Sequence, residues 1–135
     1  VLSDDSGICI EAFGCSPGVH TARWAGEGAS EEEMVRYTLD KMKDIPEGKR
    51  QAYFECAQVL ISPEGKKHVF MGRVDGRISF EPAGKMRPKL AYDQVLIPDG
   101  FDVTFAQMTE EEKNKISHRG KAIAKMKEFL KTRFA

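Results

Sequence analysis

The pattern of apolar and polar positions along the chain predicts an alternation of strands and helices. One helix is predicted over Ser30 to Lys43, opened by the capping-box pair Ser30 and Glu33. Its apolar positions recur at helical spacing, at Met34, Val35, Leu39 and Met42. A second helix is predicted to follow Thr109, and a third runs from near Ser117 to the end of the chain. The residues of the third helix expected to face the core are Ile123, Met126, Leu130 and Phe134.

Strands are predicted where short apolar runs are bounded by turn residues. Residues Val1 to Ile10 predict two short strands joined by a turn at Asp4 to Gly7. Gln51 to Ile61 predicts a long strand that forms a hairpin, through a Ser-Pro-Glu-Gly turn, with Lys67 to Met71. Three more segments are predicted: a short helical or irregular one at Val19 to Gly26, and strands near Arg73 to Phe80 and at Val95 to Ile97. This order indicates an α/β or α+β protein with an antiparallel or mixed sheet, with residues 1–135 as one domain.

Composition and charge narrow the classes of function. The 135 residues include 21 Lys and Arg and 21 Asp and Glu, so the net charge is zero and no general attraction to nucleic acid is expected. No apolar run approaches the ~20 residues that a membrane-spanning helix needs. The three cysteines, Cys9, Cys15 and Cys56, are odd in number and the chain is not cysteine-dense, which indicates reduced thiols in a cytoplasmic protein. They include no Cys-x-x-Cys pair for zinc binding or redox chemistry.

The first candidate for chemistry is the acidic segment near the start of the chain. Asp4 and Asp5 precede Ser6 and Gly7, and carboxylates of this kind hold divalent cations or activate water. Since neighbouring strand residues point to opposite faces, only one of the two aspartates is expected to project fully into a site. The same four residues are also typical of a plain turn.

The second candidate lies where one predicted C-terminal helix gives way to the next. Lys113, Ser117, His118 and Arg119 offer hydrogen-bond donors and positive charge to a phosphate or a purine carbonyl. A helix N-terminus at this point adds amide groups suited to anions. A solvated basic helix end has the same composition, so the cluster alone leaves both interpretations open.

The third candidate is the segment Leu90-Ala91-Tyr92-Asp93. An aromatic ring beside a carboxylate can stack on a nucleotide base while the acid accepts from a ring or sugar donor. The alternative is the entry to a strand with an aromatic core residue. No phosphate-binding loop or dinucleotide fingerprint accompanies these segments, so the residues by themselves favour an anion-binding enzyme only weakly.

Four segments follow one another in an order that is more specific than any one of them. Ser3-Asp-Asp-Ser-Gly-Ile precedes Gly14-Cys-Ser-Pro-Gly-Val-His-Thr-Ala-Arg-Trp-Ala-Gly26. Tyr92-Asp-Gln-Val-Leu-Ile-Pro-Asp-Gly100 follows, and then Thr104-Phe-Ala-Gln-Met-Thr-Glu-Glu-Glu-Lys-Asn-Lys-Ile-Ser-His-Arg-Gly-Lys-Ala122. This set resembles the inosine/xanthosine triphosphate pyrophosphatase family along essentially the whole chain.

The resemblance implies a fold and an activity. The fold is an elongated mixed sheet with helices in two lobes and a substrate cleft between them. The activity is Mg²⁺-dependent hydrolysis of deaminated purine nucleoside triphosphates (ITP, dITP and XTP) to monophosphate and pyrophosphate, by a cytoplasmic homodimer. The family's first strand and its Ser/Thr-x-Asn-x-x-Lys phosphate loop are not in this chain, so the chain alone is expected to be poorly active or inactive. The alternative is a nucleotide-binding or assembly module that has lost catalysis.

The resemblance also implies roles for individual residues. Asp5 corresponds to the general base and metal-linked carboxylate, with Asp4 as a second metal contact. His118 and Arg119 correspond to the residues that meet the purine 6-keto group, and an adenine amino group would leave such donors unpaired. The other implied substrate contacts are Ser6, Leu90, Ala91, Tyr92, Asp93 and Lys113.

One departure from the family pattern concerns the base pocket. The family has Gly-Phe-Gly before Tyr-Asp and a proline after it, whereas this chain has Lys89-Leu90-Ala91 and Gln94. Leucine cannot stack on a base as the family phenylalanine does. A weaker or altered selectivity among bases is therefore expected.

Overall fold

The centre of the molecule is a five-stranded antiparallel sheet. The structure is a computed structural model that describes residues 2–18, 26, 28–87 and 90–134. The irregular segment predicted over Val19 to Gly26 lies outside these residues apart from Gly26, as do Val1 and Lys89. The strands are β1 (Leu2–Ile10), β2 (Ser16–Gly18), β3 (Gln51–Ile61), β4 (Lys67–Ile78) and β5 (Leu96–Pro98). Their order across the sheet is β2-β1-β3-β4-β5, which agrees with the predicted α/β class and with the antiparallel option.

The hairpin of β3 and β4 is the longest ladder of the sheet. The predicted strand and turn are confirmed: Gly65 donates to the Ser62 carbonyl at 2.9 Å, and pairing runs from Ile61 with Lys67 to Gln51 with Arg77. The prediction of two separate strands after the turn was wrong, because β4 continues through Gly72. A Cβ on Gly72 would lie 1.9 Å from the His118 carbonyl oxygen, so this glycine serves a close helix contact rather than a strand break.

The first strand also differs from its prediction. The Asp4 to Gly7 segment is not a turn, since β1 pairs without interruption with β3 from Leu2 opposite Leu60 to Ile10 opposite Ala52. Continuous pairing with this long partner strand outweighs the local preference of the segment for a turn. Asp4 and Ser6 therefore share one face of the sheet, and Asp5 belongs to the other.

The described residues form three α-helices beside the sheet, and their starts were predicted correctly. They are α1 (Glu31–Met42), α2 (Glu110–Ile116) and α3 (His118–Phe134). Ser30 with Glu33, and Thr109 with Glu112, form complete capping boxes. No helix in the described part of the chain has the length and apolarity needed to cross a bilayer.

The apolar face of α1 packs on the core as predicted, whereas that of α3 does not. The buried residues described in α3 are His118, at its start, and Ala122, and the Phe129 ring packs on His68 at 4.6 Å and on Phe70 at 5.4 Å. The predicted core residues Ile123, Met126 and Leu130 are only half-buried, and the side chain of Phe134 lies outside the described residues. The helix is rotated relative to the prediction because its close approach to Gly72 places Ala122 against the sheet.

The core occupies one face of the sheet. Alternate residues of β3, namely Ala52, Phe54, Cys56 and Gln58, are buried there. The largest side chains that are fully buried in this core are Ile8, Ile10, Met42, Ile78, Leu96 and Phe105. Arg50 is also buried, and its guanidinium donates to the backbone carbonyls of Met42, Ile45, Ile78 and Ser79, which joins the end of α1 to the end of β4.

The expectation of three reduced thiols was wrong. Cys9 and Cys15 form a disulfide, with their Cα atoms 4.3 Å apart, and Cys56 is the free and buried cysteine of the described residues. Gly14 and Cys15 take left-handed backbone angles, with φ of 64° and 72°, and reverse the chain from β1 into β2. This tight reversal places the two sulfur atoms together, which the spacing in sequence did not reveal.

Candidate active site

One cleft is lined by all the candidate site residues that were identified from the sequence. It has a volume of about 490 Å³ and lies between β1, the 3-10 segment Ala91–Gln94 and the junction of α2 with α3. The predicted residues that line it are Asp4, Asp5, Ser6, Leu90, Ala91, Tyr92, Asp93, Lys113, His118 and Arg119. Residues from the opening, middle and closing segments of the chain thus share a single groove.

Asp4 and Arg119 close one wall of this cleft. The Arg119 guanidinium donates from Nε to Asp4 Oδ2 at 3.0 Å and from Nη2 to Asp4 Oδ1 at 3.2 Å. Its Nη2 also lies 3.4 Å from the Ser6 hydroxyl oxygen. This two-pronged geometry fixes the plane of the guanidinium and neutralises the Asp4 carboxylate. Burial lowers the pKa of Arg119, but the hydrogen bond and charge of Asp4, together with Cys56, raise it by more, so the pKa lies above its ordinary value and Arg119 stays charged.

Asp5 has a different environment from its neighbour. Its side chain is exposed, and it makes no hydrogen bond or ion pair within the described residues. It lines the same cleft. On the edge of β1 opposite β3, the pairing with β2 starts at Ile8, so no described strand pairs with that edge at Asp5. Of the two adjacent aspartates, Asp5 is therefore the one whose carboxylate oxygens are available to a ligand, a water molecule or a cation.

A buried ion pair forms the opposite wall. Lys113 Nζ donates to Asp93 Oδ2 at 2.6 Å, and both side chains are largely buried. Arg87 Nη1 lies 4.0 Å from the same oxygen while its Nη2 donates to the Met108 carbonyl at 2.7 Å. A buried carboxylate needs such partners to remain ionised. Asp93 thus holds Lys113 at the cleft surface instead of leaving its ammonium free to move.

His118 lies at the base of the cleft as a neutral imidazole. Burial, followed by the charges of Arg119 and Lys113, lowers its pKa from 6.5 to about 4, although Asp4 acts in the opposite direction. Its ring packs on Phe54 with 4.8 Å between centroids. Its Nδ1 is buried and has no hydrogen-bond partner within the described residues. Since buried polar atoms are nearly always paired, this nitrogen is available to a group that enters the cleft.

The junction of α2 and α3 holds the cationic side chains together. Ser117 ends α2, where its amide donates to the Lys113 carbonyl at 2.8 Å, and starts α3, where its hydroxyl accepts from the Gly120 amide at 3.0 Å. The helices meet so closely that a Cβ on Gly120 would lie 2.2 Å from the Asn114 carbonyl oxygen. This tight joint presents Lys113, His118 and Arg119 to the same groove.

Several lining residues were not found from the sequence. Phe54 reaches the cleft from β3, and the alternation of that strand indicates a buried side chain, but its place beside the cleft depends on the register of β3 against β1. Asn114 adjoins Lys113 and was overlooked within the predicted cluster. The first turn of α1 contributes Glu31 and Met34, and no sequence signal connected this helix with the acidic segment. Tyr92 is buried beneath the cleft, and this burial raises the pKa of its phenol.

The side chains of the cleft that could coordinate a cation can be compared with the requirements of magnesium, the cation that the sequence resemblance implies. Among the described residues, no three His, Cys, Asp or Glu side chains gather as a metal-binding group. Asp4 is already occupied by Arg119, whereas Asp5 is open. Mg²⁺ is commonly held by one or two carboxylates together with water and substrate phosphates. The residues present therefore fit a magnesium ion that is carried mainly by the nucleotide, but not an ion held by the protein alone.

The chain is similar in sequence to enzymes that act on nucleotides. It is 40% identical over 129 residues to a dITP/XTP pyrophosphatase from Opitutus terrae, with 96% of this chain and 63% of that protein covered. It is 44% identical over 131 residues to a dITP/XTP pyrophosphatase from Caldanaerobacter subterraneus, with 96% and 64% covered. The chain thus spans somewhat less than two thirds of the length of these curated relatives.

Solved structures show the same relationship at the level of the fold. A Staphylococcus aureus Ham1 protein aligns with a TM-score of 0.90 at 34% identity, covering 98% of this chain and 67% of that one. A HAM1 protein from Coxiella burnetii aligns with a TM-score of 0.88 at 32% identity, covering 97% and 66%. The model of the Ham1 family matches residues 1–129. The chain therefore belongs to the Ham1 family.

Proposed function

We propose that this chain carries the nucleotide-binding and water-activating centre of a pyrophosphatase that acts on deaminated purine nucleoside triphosphates such as ITP, dITP and XTP. The products are the nucleoside monophosphate and pyrophosphate. The observation that supports this proposal is that Asp5, Asp93, Lys113, His118 and Arg119 line one cleft. The relatives that bear the name dITP/XTP pyrophosphatase support it independently.

In the proposed reaction, Asp5 accepts the proton of the attacking water. Its exposed carboxylate is free of other partners in the described part of the chain, as a general base requires. The water oxygen bonds to the α-phosphorus, the bond from that phosphorus to the bridging oxygen breaks, and pyrophosphate leaves with the bond's electrons. A magnesium ion, when bound with the nucleotide, supplies neutralising charge to the phosphates. Asp5 is the residue that we assign to contact it, since Asp4 is engaged by Arg119.

The proposed base recognition depends on His118. A neutral imidazole with a proton on Nδ1 donates one hydrogen bond, and this atom is buried and unpaired among the described residues. A purine 6-keto oxygen accepts such a bond, whereas the adenine amino group in the same place leaves the donor unpaired. Lys113 and Arg119 add donors around the same position, and the Phe54 ring gives the cleft an apolar floor.

Binding of monophosphates tests the proposal without depending on turnover. Calorimetric titration is expected to show that inosine monophosphate binds more tightly than adenosine monophosphate. His118→Phe keeps a ring on Phe54 but removes the polar atoms, and it should weaken inosine monophosphate binding by about tenfold, as expected for loss of one buried hydrogen bond. The matched control is His68→Ala, a histidine that packs on Phe129 outside the cleft and should leave affinity unchanged.

The result that would contradict this function is the absence of inosine monophosphate and triphosphate binding at millimolar ligand, or equal losses in the two histidine variants. Pyrophosphate release from inosine triphosphate distinguishes the enzyme from the alternative, a nucleotide-binding module without catalysis. The homodimeric state, the dependence on magnesium and the cytoplasmic location remain parts of the proposal, to be tested by sedimentation, metal titration and cell fractionation.

A further inference from the structure

A buried glutamine lies behind the Asp4–Arg119 wall of the cleft. Gln58 stands directly opposite Asp4 in the register of β3 and β1, and only 3% of its surface is exposed. It belongs to the same face of β3 as Phe54, which packs on His118. Gln58 itself does not line the cleft. Any effect that it has on a ligand must therefore pass through another side chain.

The Gln58 amide is hydrogen-bonded to the Asp4 carboxylate, which also accepts from Arg119. Its Nε2 donates to Asp4 Oδ2 and also lies 3.5 Å from the Cys56 sulfur. Asp4 Oδ2 is the oxygen that accepts from Arg119 Nε, and the Cys56 thiol approaches the same oxygen at 3.7 Å. The buried amide, the carboxylate and the guanidinium thus form a continuous chain of hydrogen bonds from the core to the cleft.

Because the Gln58 amide is buried, its need for a hydrogen-bond partner constrains Asp4 and, through Asp4, Arg119. A buried amide without a partner is costly, so Gln58 favours the side-chain rotamer of Asp4 that offers it Oδ2. With Oδ2 held from behind, the plane of the carboxylate is fixed, and Arg119 meets both oxygens. Asp4 and Arg119 are each partly exposed, with side-chain exposures of 35% and 45%, and such a pair is usually mobile when nothing else holds it.

We infer that Gln58 is a positioning residue for Arg119 and acts through Asp4. Its role is to hold the guanidinium along the cleft wall before a nucleotide enters, which reduces the entropy lost on binding. The consequence for ligand affinity rests on the proposed function, whereas the positioning of Arg119 in the free protein does not. The two parts can therefore be tested separately.

The first test follows the Arg119 side chain in the free protein. The Nε–H of a held arginine exchanges slowly with water and is visible by nuclear magnetic resonance, and Arg119→Lys identifies its signal. Gln58→Leu should accelerate exchange of this proton by about threefold to tenfold, since a hydrogen bond to a charged group is weakened. Gln58→Met repeats the measurement with a longer apolar side chain, in case leucine disturbs the fold. The matched control is Gln51→Leu, whose exposed amide bonds only the Gly48 carbonyl.

The second test measures the affinity for inosine monophosphate in a double-mutant cycle. Gln58→Leu should weaken binding by about threefold to tenfold in the normal chain but leave it unchanged in the Arg119→Lys background. Unaltered Arg119 exchange in both Gln58 variants would overturn the inference, as would equal losses of affinity in the two backgrounds. Failure of the normal chain to bind inosine monophosphate would instead refute the proposed function, and the exchange rates would still decide the role of Gln58.

Discussion

Six side chains of the cleft divide into two ion pairs and two residues that are left available. Asp4 is bonded to Arg119 and Asp93 to Lys113, so each wall carries an acid and a base in contact. Asp5 and His118 line the same cleft, and among the described residues neither the Asp5 carboxylate nor His118 Nδ1 has a polar partner. The paired residues fix the geometry, and the available ones can exchange protons or hydrogen bonds with a ligand.

The sequence could identify this set of residues but not its division into pairs. The resemblance to a family supplied Asp5, Asp93 and His118. Strand periodicity predicted that only one of the two aspartates would project fully into a site, whereas both line the cleft. Which residue neutralises which depends on the register of β1 against β3 and on the angle between α2 and α3. Both are properties of long-range packing, and local sequence does not encode them.

The low pKa of His118 predicts a specific loss of stability in acid. An unfolded histidine binds a proton near pH 6.5, whereas the folded His118 binds one only near pH 4, because it is buried beside Arg119 and Lys113. Between these values the unfolded chain holds more protons, so the free energy of unfolding falls as the pH falls. The loss attributable to His118 should reach about 2 kcal/mol by pH 5.

Urea unfolding of the normal chain and of His118→Phe, at several values between pH 7 and pH 5, measures this contribution. The variant has no imidazole to protonate, so its free energy of unfolding should rise relative to that of the normal chain as the pH is lowered. His68→Ala is again the matched control, since its replacement should leave the acid-dependent loss in place. Curves for the normal chain and His118→Phe that stay parallel would show that the folded imidazole titrates normally.

At the scale of elements, caps were predictable and close contacts were not. The capping boxes at Ser30 and Thr109 are local patterns of two residues, so the starts of α1 and α2 followed from the sequence. Gly72 had the appearance of a strand break, although it is the point at which α3 touches β4. A glycine that permits a turn and a glycine that permits a close approach have the same appearance in sequence, and only the position of a distant helix distinguishes them.

The contact at Gly72 predicts a large effect of a single methyl group. In Gly72→Ala the new Cβ would lie 1.9 Å from the His118 carbonyl oxygen and 2.6 Å from the Ala122 amide nitrogen. Both are backbone atoms of α3, so the helix must move away from the sheet. The free energy of unfolding should fall by at least about 2 kcal/mol, which chemical denaturation measures.

The same substitution should weaken inosine monophosphate binding, because the start of α3 carries His118 and Arg119. The control is Met71→Ala, which alters an exposed neighbour on β4 and should change stability by less than about 1 kcal/mol. A Gly72→Ala variant that keeps both stability and affinity would mean that α3 does not approach β4 as closely as the structure shows.

At the scale of the whole molecule, the cleft joins three segments that are far apart in the chain. The opening segment supplies the Asp5 carboxylate, the closing segment supplies cations and an imidazole, and the middle segment supplies Leu90 to Asp93. Composition, periodicity and spacing did not predict that these segments meet. The prediction came from the order of four motifs, which carries information about a shared fold that the residues taken singly do not.

A substitution at Leu90, in the middle segment, tests the proposed base pocket. It lines the cleft at the position where the resembling family has a phenylalanine, and a leucine gives a purine no ring to stack on. Leu90→Phe should tighten inosine monophosphate binding by about twofold to tenfold, the range that corresponds to one aromatic pair. A purine stacked on this phenylalanine is held in line with His118. The preference for inosine monophosphate over adenosine monophosphate should therefore widen as well.

Calorimetry with both nucleotides measures affinity and preference in the same experiment. Leu130→Phe provides the matched control, since it makes the same substitution on α3 away from the cleft and should alter neither quantity. A strong preference for inosine in the unaltered chain, left unchanged by Leu90→Phe, would show that hydrogen bonds alone fix the base. An increase in affinity that is equal for the two purines would mean that stacking and keto recognition act independently in this cleft.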